Sequence, residues 1–272
     1  MSATTQARAW AVTRRDGLVL GFTDHDRALA FEGITFAPDA GLSARALVAG
    51  SGLAVDNSEV LGALSGAAIS EADIEAGRYD GAEVRLWVVD WTDVAQRRLR
   101  FRGSLGEIRR GEGAFHAELR GLTERLNQPR GRSFQRSCPA VLGDGDCRFD
   151  LERPGYAAGL ALPEAGDGQH FLLPGLGGFA AGWFLHGRLQ VLDGAARGLE
   201  GIVKEDRPTA DGRAVLLWEP LRAPVAAGDR VRLLAGCDRR AETCRVKFDN
   251  ILNFQGFPFL PGDDWLLVGP RA

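Results

Sequence analysis

The chain has 272 residues, of which 45% are hydrophobic and 25% are charged, and its formal net charge is −3. This composition is typical of a globular protein and argues against a disordered chain. The slight negative charge gives no global electrostatic sign of nucleic-acid binding, and no run approaches the roughly 20 apolar residues that cross a bilayer.

The first residues, MSATTQARAWAV, lack the charged and apolar regions of a secretory signal. We therefore expect the protein to be made and folded in the cytosol. Disulfides are disfavoured there, so metal binding becomes a stronger interpretation of the cysteines. The length allows one large domain or two to three smaller ones, each with an ample core.

The first half of the chain has a mainly β pattern. FTDHDRALAFEGITFAPD (22–39) alternates in two short runs, which predicts a strand, a turn and a second strand. AEVRLWVVDWTD (82–93) predicts a well-buried strand, and residues 99–122 predict a hairpin that turns at Gly111–Gly113. A short capped helix is predicted over 70–77, where Ser70 precedes acidic residues.

Two further segments of this half favour less regular structure. LTERLNQ (122–128) predicts one or two helical turns before Pro129. The arginine-rich stretches 97–110 and 120–136 favour a solvated strand face and a loop over a DNA-binding surface. A charged lumen along which nucleic acid moves stays open as an alternative, and no nucleic-acid-binding residue is assigned.

The second half predicts a separate β module. Residues 151–169 are rich in Gly, Ala and Pro and predict a linker, after which four or five strands alternate with turn residues up to Gly236. We therefore predict a mainly β, multi-domain fold with β-barrel or sandwich modules and few short helices. The predicted domains are an N-terminal β-rich part (1–135), a first cysteine loop with the linker (136–169), a barrel-like module (170–235) and a C-terminal cysteine segment (236–272).

The four cysteines form two distant pairs, Cys138 with Cys147 and Cys237 with Cys244. Structural zinc sites usually use tighter C-x2–4-C spacing, and local disulfides do not suit the cytosol. An iron–sulfur cluster takes four thiolates at varied spacing, and inert free thiols are the simplest reading. Spacing alone leaves these alternatives as close competitors.

Enzymatic readings are less favoured. The TDHD stretch (23–26) places two carboxylates around His25, which suits a metal site, but a turn between strands is the stronger interpretation. A cysteine nucleophile paired with His116, His170 or His186 is a further reading. None of the four cysteines stands alone, and no sign of a lowered thiol pKa accompanies them.

Five segments, which together cover well over half of the chain, carry a resemblance to known proteins. They are TDHDRALAFEGITFAPD (23–39), 51–87, RGSLGEIRRGEGAFHAELRGLTERLNQPRGR (102–132), the first cysteine pair, and GCDRRAETCRVKFDNILNFQGFPFLPGDD (236–264). In these segments, and in the same order, the sequence resembles a family of hub proteins at the tail tip of siphophages and gene transfer agents. Residues 170–235 match less well.

The resemblance implies a non-enzymatic structural hub that assembles as a homotrimer in the tail baseplate of a phage-like particle. It implies contact with a distal tail protein above and a central tip or fibre protein below. DNA and a tape-measure protein would pass through the ring, and no small-molecule substrate is implied. The alternative is a cytosolic redox or nucleic-acid-binding protein that holds an iron–sulfur cluster or zinc.

The same resemblance extends to tail-tip proteins of lambda-like phages that carry a [4Fe–4S] cluster. It implies that Cys138, Cys147, Cys237 and Cys244 are the ligands of such a cluster, with zinc as the alternative metal. Residues 136–150 and 236–272 would then form a small site domain. Phe248, Phe254, Phe257 and Phe259 would shield the cluster, and Arg148 or Arg245 would offset its charge.

Overall fold

The computed structural model describes residues 5–38, 57–58, 69–111, 114–121, 131 and 134–261. The chain divides into two compact units, residues 1–130 and residues 131–272. Each unit contains one sheet, so the mainly β prediction is confirmed. No helix within these described ranges is long and apolar enough to cross a membrane.

Among its described residues, the first unit contains an eight-stranded sheet and one short helix, α1 (Glu71–Glu75). Its strands are β1 (Gln6–Thr13), β2 (Val19–Thr23), β3 (Leu29–Phe31), β4 (Ile34–Pro38), β5 (Asn57–Ser58), β6 (Glu83–Asp90), β7 (Asp93–Gly111) and β8 (Ala114–Gly121). The strand order is β3-β4-β2-β1-β6-β7-β8-β5. The β2–β4 pair is parallel, and the other neighbouring strands are antiparallel.

Both faces of this sheet bury apolar side chains, because alternate residues of a strand point to opposite faces. On β1, Trp10 and Val12 enter one core, whereas Ala9 and Ala11 enter the other. This explains why β1 and β6 read as nearly continuous apolar runs. Phe31, Phe36 and Trp87 form a buried aromatic cluster in the second of these cores.

The local predictions in this unit are confirmed where the structure describes them. Strands β7 and β8 join across residues 112–113, as the glycines predicted. Ser70 caps α1 by accepting a hydrogen bond from the backbone N–H of Asp73 through its side chain. The TDHD stretch begins at Thr23, the last residue of β2, and continues into the turn that leads to β3. The helical turn predicted for 122–128 lies outside the described residues.

The second unit contains a six-stranded antiparallel sheet in the order β10-β13-β12-β11-β14-β9. Its strands are β9 (Ala157–Ala161), β10 (His170–Leu173), β11 (Arg188–Val191), β12 (Glu200–Thr209), β13 (Gly212–Leu217) and β14 (Arg230–Leu234). All six strands contribute side chains to one apolar core. A short helix, α2 (Ala241–Val246), and a 3-10 turn (Ile251–Asn253) follow.

The predicted linker contains a strand that the sequence analysis missed. Strand β9 lies within 151–169 and pairs with β14 in antiparallel register, from Ala157 opposite Leu234 to Ala161 opposite Arg230. The segment AAGLA carries few residues with high β propensity, so composition alone indicated a linker. Pairing with β14 and packing of Ala158 and Leu160 against the core stabilise it instead.

Candidate metal centre

The first cysteine loop is organised by a single carboxylate. Asp144 accepts hydrogen bonds from the backbone N–H groups of Val141, Asp146 and Cys147 at 2.7–3.0 Å. These bonds, the one from Cys147 foremost, hold the pKa of Asp144 below its ordinary value. Gly143 adopts a positive φ of 85° in this turn, a conformation that favours glycine. The hydrogen bonds of Asp144 thus hold the backbone at Cys147 in one conformation.

The second cysteine pair follows the last strand of the sheet. Strand β14 runs into Ala235 and Gly236, and Cys237 comes next, while Cys244 lies in α2. A Cβ at Gly236 would lie 1.7 Å from the backbone oxygen of Leu185, so the chain can pass only without a side chain there. Glycine at this position thus allows one backbone segment to pack closely against another.

All four cysteines line one cavity. Cys138, Cys147 and Cys244 are buried, and Cys237 is partly buried. The two loops also bond directly, because the N–H of Cys138 donates to the carbonyl of Arg239 at 2.9 Å. Cys147 and Cys237 belong to one apolar cluster with Phe149 and Phe248. The fold therefore brings the two pairs together although a sheet of six strands intervenes.

Other residues line the same cavity beside the sulfurs. Phe248 and Phe254 do so, as predicted, together with Arg239 and Arg240 rather than the expected Arg148 or Arg245. The remaining lining residues are Ala140, Leu142, Asn250 and Asn253. Phe259 does not shield the site, since it is 93% exposed. The sequence of this aromatic segment did not indicate which of its phenylalanine rings face the cysteines.

Asn250 is a site residue that the sequence did not reveal. Its Nδ2 donates to the carbonyl of Cys147 at 2.8 Å and approaches the Sγ of the same residue at 3.6 Å. Its own Oδ1 accepts from Asn253. The side chain thus joins the loop after α2 to the first cysteine loop, a contact that only the tertiary structure creates.

Lys247 joins the centre to the sheet. Its Nζ donates to the carbonyls of Trp183 and Gly236 at 2.6 and 2.8 Å and lies over the Trp183 ring. Tyr156 donates to the carbonyl of Lys247 at 2.6 Å. Burial lowers the pKa of Lys247 to about 8. These bonds fix the end of α2 against the sheet.

The four thiols are free, and the surroundings of Cys237 and Cys244 oppose the ionisation of these two. Burial, followed by the charges of the other three cysteines, raises the pKa of Cys244 to about 11. Burial also raises the pKa of Cys237. Binding of a metal by Cys237 and Cys244 would therefore have to release their thiol protons. Within the described part of the chain, no group of three or more His, Cys, Asp or Glu side chains is arranged around a single metal ion.

The histidines named as partners of a nucleophile do not lie on the cavity. His170 is exposed in β10 and bonds to Asp167, and His186 lies in the turn before β11 with a positive φ. His116 belongs to β8 of the other unit. His25 accepts a hydrogen bond from the N–H of Arg27 at 3.0 Å within the turn after β2, and its ring packs in a tilted arrangement against Trp91.

Comparison with known proteins gives two family matches and a close structural relative. Residues 1–150 match the family described as baseplate hub protein, N-terminal attachment domain. Residues 182–264 match the family described as phage conserved hypothetical protein BR0599. No curated protein sequence matches the chain.

Among solved structures, the chain is similar to one from the virion of a native gene transfer agent (GTA) particle. The identity is 57%, the TM-score is 0.91, and the match covers 100% of this chain and 93% of that chain. The family model alone covers more than half of the sequence. The resemblance to tail hub proteins is thus confirmed: the chain belongs to the baseplate hub protein family and has a structural role in a tail baseplate.

Proposed function

We propose that this chain is the hub of the tail baseplate of a gene transfer agent. Three copies would form a ring on the tail axis, between a distal tail protein and a central tip or fibre protein. DNA and a tape-measure protein would pass through the ring into the recipient cell. The observation that carries this proposal is the 57% identity over the whole chain to a protein of a native gene transfer agent virion.

The proposal places the protein in the particle, after synthesis and assembly in the bacterial cytoplasm. Its role is structural, with no catalytic step. The family match supports this, because a baseplate hub connects parts of a tail. The two-unit organisation suits a connector, since each unit has its own core and can offer its own surface to a different neighbour.

We also propose that Cys138, Cys147, Cys237 and Cys244 hold a [4Fe–4S] cluster, with a zinc ion as the alternative occupant. The fit rests on the four sulfurs that line one cavity and on Phe248 and Phe254 beside them. A zinc ion needs its thiolates within about 2.3 Å of a single point. The choice of a cluster over a single zinc ion comes from the resemblance to tail-tip proteins that carry one.

The bound group would cross-link the second unit. It would join the loop before the sheet to the segment after it, and so close a long stretch of chain around one site. For structural zinc, metal binding contributes about 10–16 kcal/mol to the folding of small domains. A cluster would act in the same direction, and Asn250 and Lys247 would hold its two loops in register.

One measurement tests the cofactor. Protein purified without oxygen is analysed for iron, zinc and acid-labile sulfide. We expect about four irons and four sulfides per chain. Zinc without sulfide would replace the cluster by a single ion, and a metal-free protein with free thiols would refute a metal at this site.

A second measurement tests the place of the protein and of the centre in the particle. Particles from cells that carry Cys244→Ser should contain less of this chain and deliver less DNA, whereas Thr243→Ser in the same helix should leave both unchanged. Normal particles with the cysteine variant would contradict a structural role of the centre. Absence of the unaltered chain from purified particles would contradict the hub function itself.

A further inference from the structure

Asn250 contacts one cysteine of each pair. Its backbone N–H donates to the carbonyl of Cys244 at 3.0 Å. Its side-chain Nδ2 donates to the carbonyl of Cys147 at 2.8 Å and to the Sγ of the same residue at 3.6 Å. Asn250 therefore connects the two cysteine pairs, and its amide lies on the cavity that all four cysteines line.

The hydrogen-bond partners determine which end of the Asn250 amide faces Cys147. A backbone carbonyl only accepts hydrogen bonds, so the atom beside the carbonyl of Cys147 must belong to the NH2 group. The other end of the amide, Oδ1, accepts from Nδ2 of Asn253 at 2.7 Å. Because Nδ2 carries two hydrogens, it can donate to the carbonyl and to the sulfur together. Partners on both sides thus hold the donor group toward the sulfur.

Arg239 provides a second donor, at a sulfur of the other pair. Its backbone N–H donates to the Sγ of Cys237 at 3.4 Å, and its carbonyl accepts from the N–H of Cys138. Arg239 adopts a positive φ of 63°, a conformation that is costly for a residue with a side chain and persists where the surrounding structure holds it. Each cysteine pair therefore contains a sulfur that faces an N–H group.

We propose that Asn250 is a positioning residue of the metal centre, and that its side-chain amide stabilises negative charge on the sulfur of Cys147. This inference rests on the cluster proposed above and concerns a residue outside its four ligands. A hydrogen bond to a thiolate is stronger than one to a neutral thiol, because its acceptor is charged. The amide should therefore act most strongly when Cys147 binds the cluster as a thiolate.

The hydrogen bond should affect two measurable properties of the centre. Hydrogen bonds to the sulfurs help to set the reduction potential of an iron–sulfur cluster. An N–H donor favours the more negative, reduced state, so its loss should make the potential more negative. The bond also favours the deprotonated ligand that binds metal, and such supporting residues typically change metal affinity by about 10–100-fold. A residue that only joined the two loops would not change the potential.

Asn250→Ala and Gln255→Ala separate these two roles. Gln255 also joins the segment after α2 to the first cysteine loop, because its amide donates to the carbonyl of Asp146 at 3.4 Å. No hydrogen bond joins Gln255 to a cysteine sulfur among the described residues. Both variants and the unaltered chain are purified without oxygen and analysed for iron and acid-labile sulfide. Titration with dithionite under EPR spectroscopy gives the reduction potential, and a ferrous chelator gives the rate of iron loss.

We expect Asn250→Ala to have a more negative reduction potential than the unaltered chain and to lose iron about tenfold faster. Gln255→Ala should leave the potential unchanged. Equal potentials in Asn250→Ala and the unaltered chain would overturn this inference, as would an equal shift in Gln255→Ala, while the proposed cluster would stand. An unaltered chain without iron and sulfide would overturn the cofactor proposal, and this inference with it.

Asn250→Asp is the second variant, since it keeps the shape of the side chain and the oxygen that accepts from Asn253 but has no side-chain N–H. We expect its potential to shift in the same direction and further, because the carboxylate adds negative charge beside the sulfur. A folded Asn250→Asp protein that contains no iron would support the same role. A potential equal to that of the unaltered chain would contradict it.

Discussion

Arg213 and Asp206 form an ion pair in the interior of the second unit. Their side chains are 1% and 0% exposed, and the guanidinium lies 3.1 Å from the carboxylate. Arg213 also donates to the carbonyls of Phe179 and Ala180, and Asp206 accepts from the N–H of Phe184. The pair thus fixes the irregular segment before β11 to the β12–β13 hairpin.

Removal of one partner should be costly, because the other charge would remain buried and uncompensated. We expect Arg213→Ala to lower the free energy of unfolding by about 3–5 kcal/mol. Arg207→Ala is the matched control on the same hairpin, since Arg207 is 73% exposed and pairs with Glu205 at the surface; its cost should be about 0–1 kcal/mol. Denaturant unfolding measures both, and equal losses would contradict this account.

At the scale of single residues, the sequence singled out the four cysteines but did not reveal the residues that surround them. The chain has only four cysteines. Because thiols are reactive and bind metals, these four residues were candidate site residues from the sequence alone. Asn250 and Lys247 are ordinary surface residue types, and only their contacts with Cys147 and Gly236 reveal a role. Similarly, the burial of Arg213 depends on which carbonyls surround it.

At the scale of elements, the passage from β14 to the second cysteine loop is the most constrained connection of the centre. The backbone at Gly236 passes against Leu185 and Gly187. The N–H of Gly236 donates to the carbonyl of Trp183 at 3.0 Å, and Lys247 donates to the carbonyl of Gly236. Three segments are therefore packed together immediately before Cys237.

This packing predicts a strong effect of a single methyl group. Gly236→Ala should lower the free energy of unfolding by about 1–3 kcal/mol, because the added Cβ must displace backbone rather than a flexible side chain. Gly159→Ala on β9 is the control, since its Cβ would meet nothing within 4 Å. That change should be neutral or stabilising by about 0.4–1 kcal/mol. Thermal unfolding compares the two variants, and a harmless Gly236→Ala would refute the constraint.

At the scale of the whole molecule, the chain is two compact units with separate cores. The four cysteines proposed to hold the cluster all lie in the second unit. Loss of the cluster should therefore weaken one unit and leave the other intact.

Removal of the metal tests this separation. Closure of a loop of about 100 residues contributes roughly 4–5 kcal/mol in chain-entropy terms, so we expect the Tm of the second unit to fall by about 10 °C or more after the metal is stripped. The transition of the first unit should not move. Calorimetry of the protein before and after chelation gives both values, and an unchanged second transition after full metal loss would exclude a structural contribution.

Local features of the molecule were determined by the sequence itself. Alternating apolar residues predicted most of the strands, Gly111–Gly113 marked the β7–β8 hairpin, and Ser70 marked the start of α1. These features depend on side-chain period, backbone freedom and capping, which act over a few residues. Strand β9 was not predicted, because its alanines and glycine have low β propensity. Its conformation depends instead on pairing with β14.

Only the tertiary structure decided which distant groups meet. Cys147 and Cys237 are separated by an entire sheet, and their approach depends on the strand order that returns the chain beside its starting point. The same holds for the rings of Phe248 and Phe254, which line the cavity, and the ring of Phe259, which is exposed. The sequence determines the residue types and the local turns. Whether distant side chains meet at one site depends on pairing and packing between segments that are far apart in the chain.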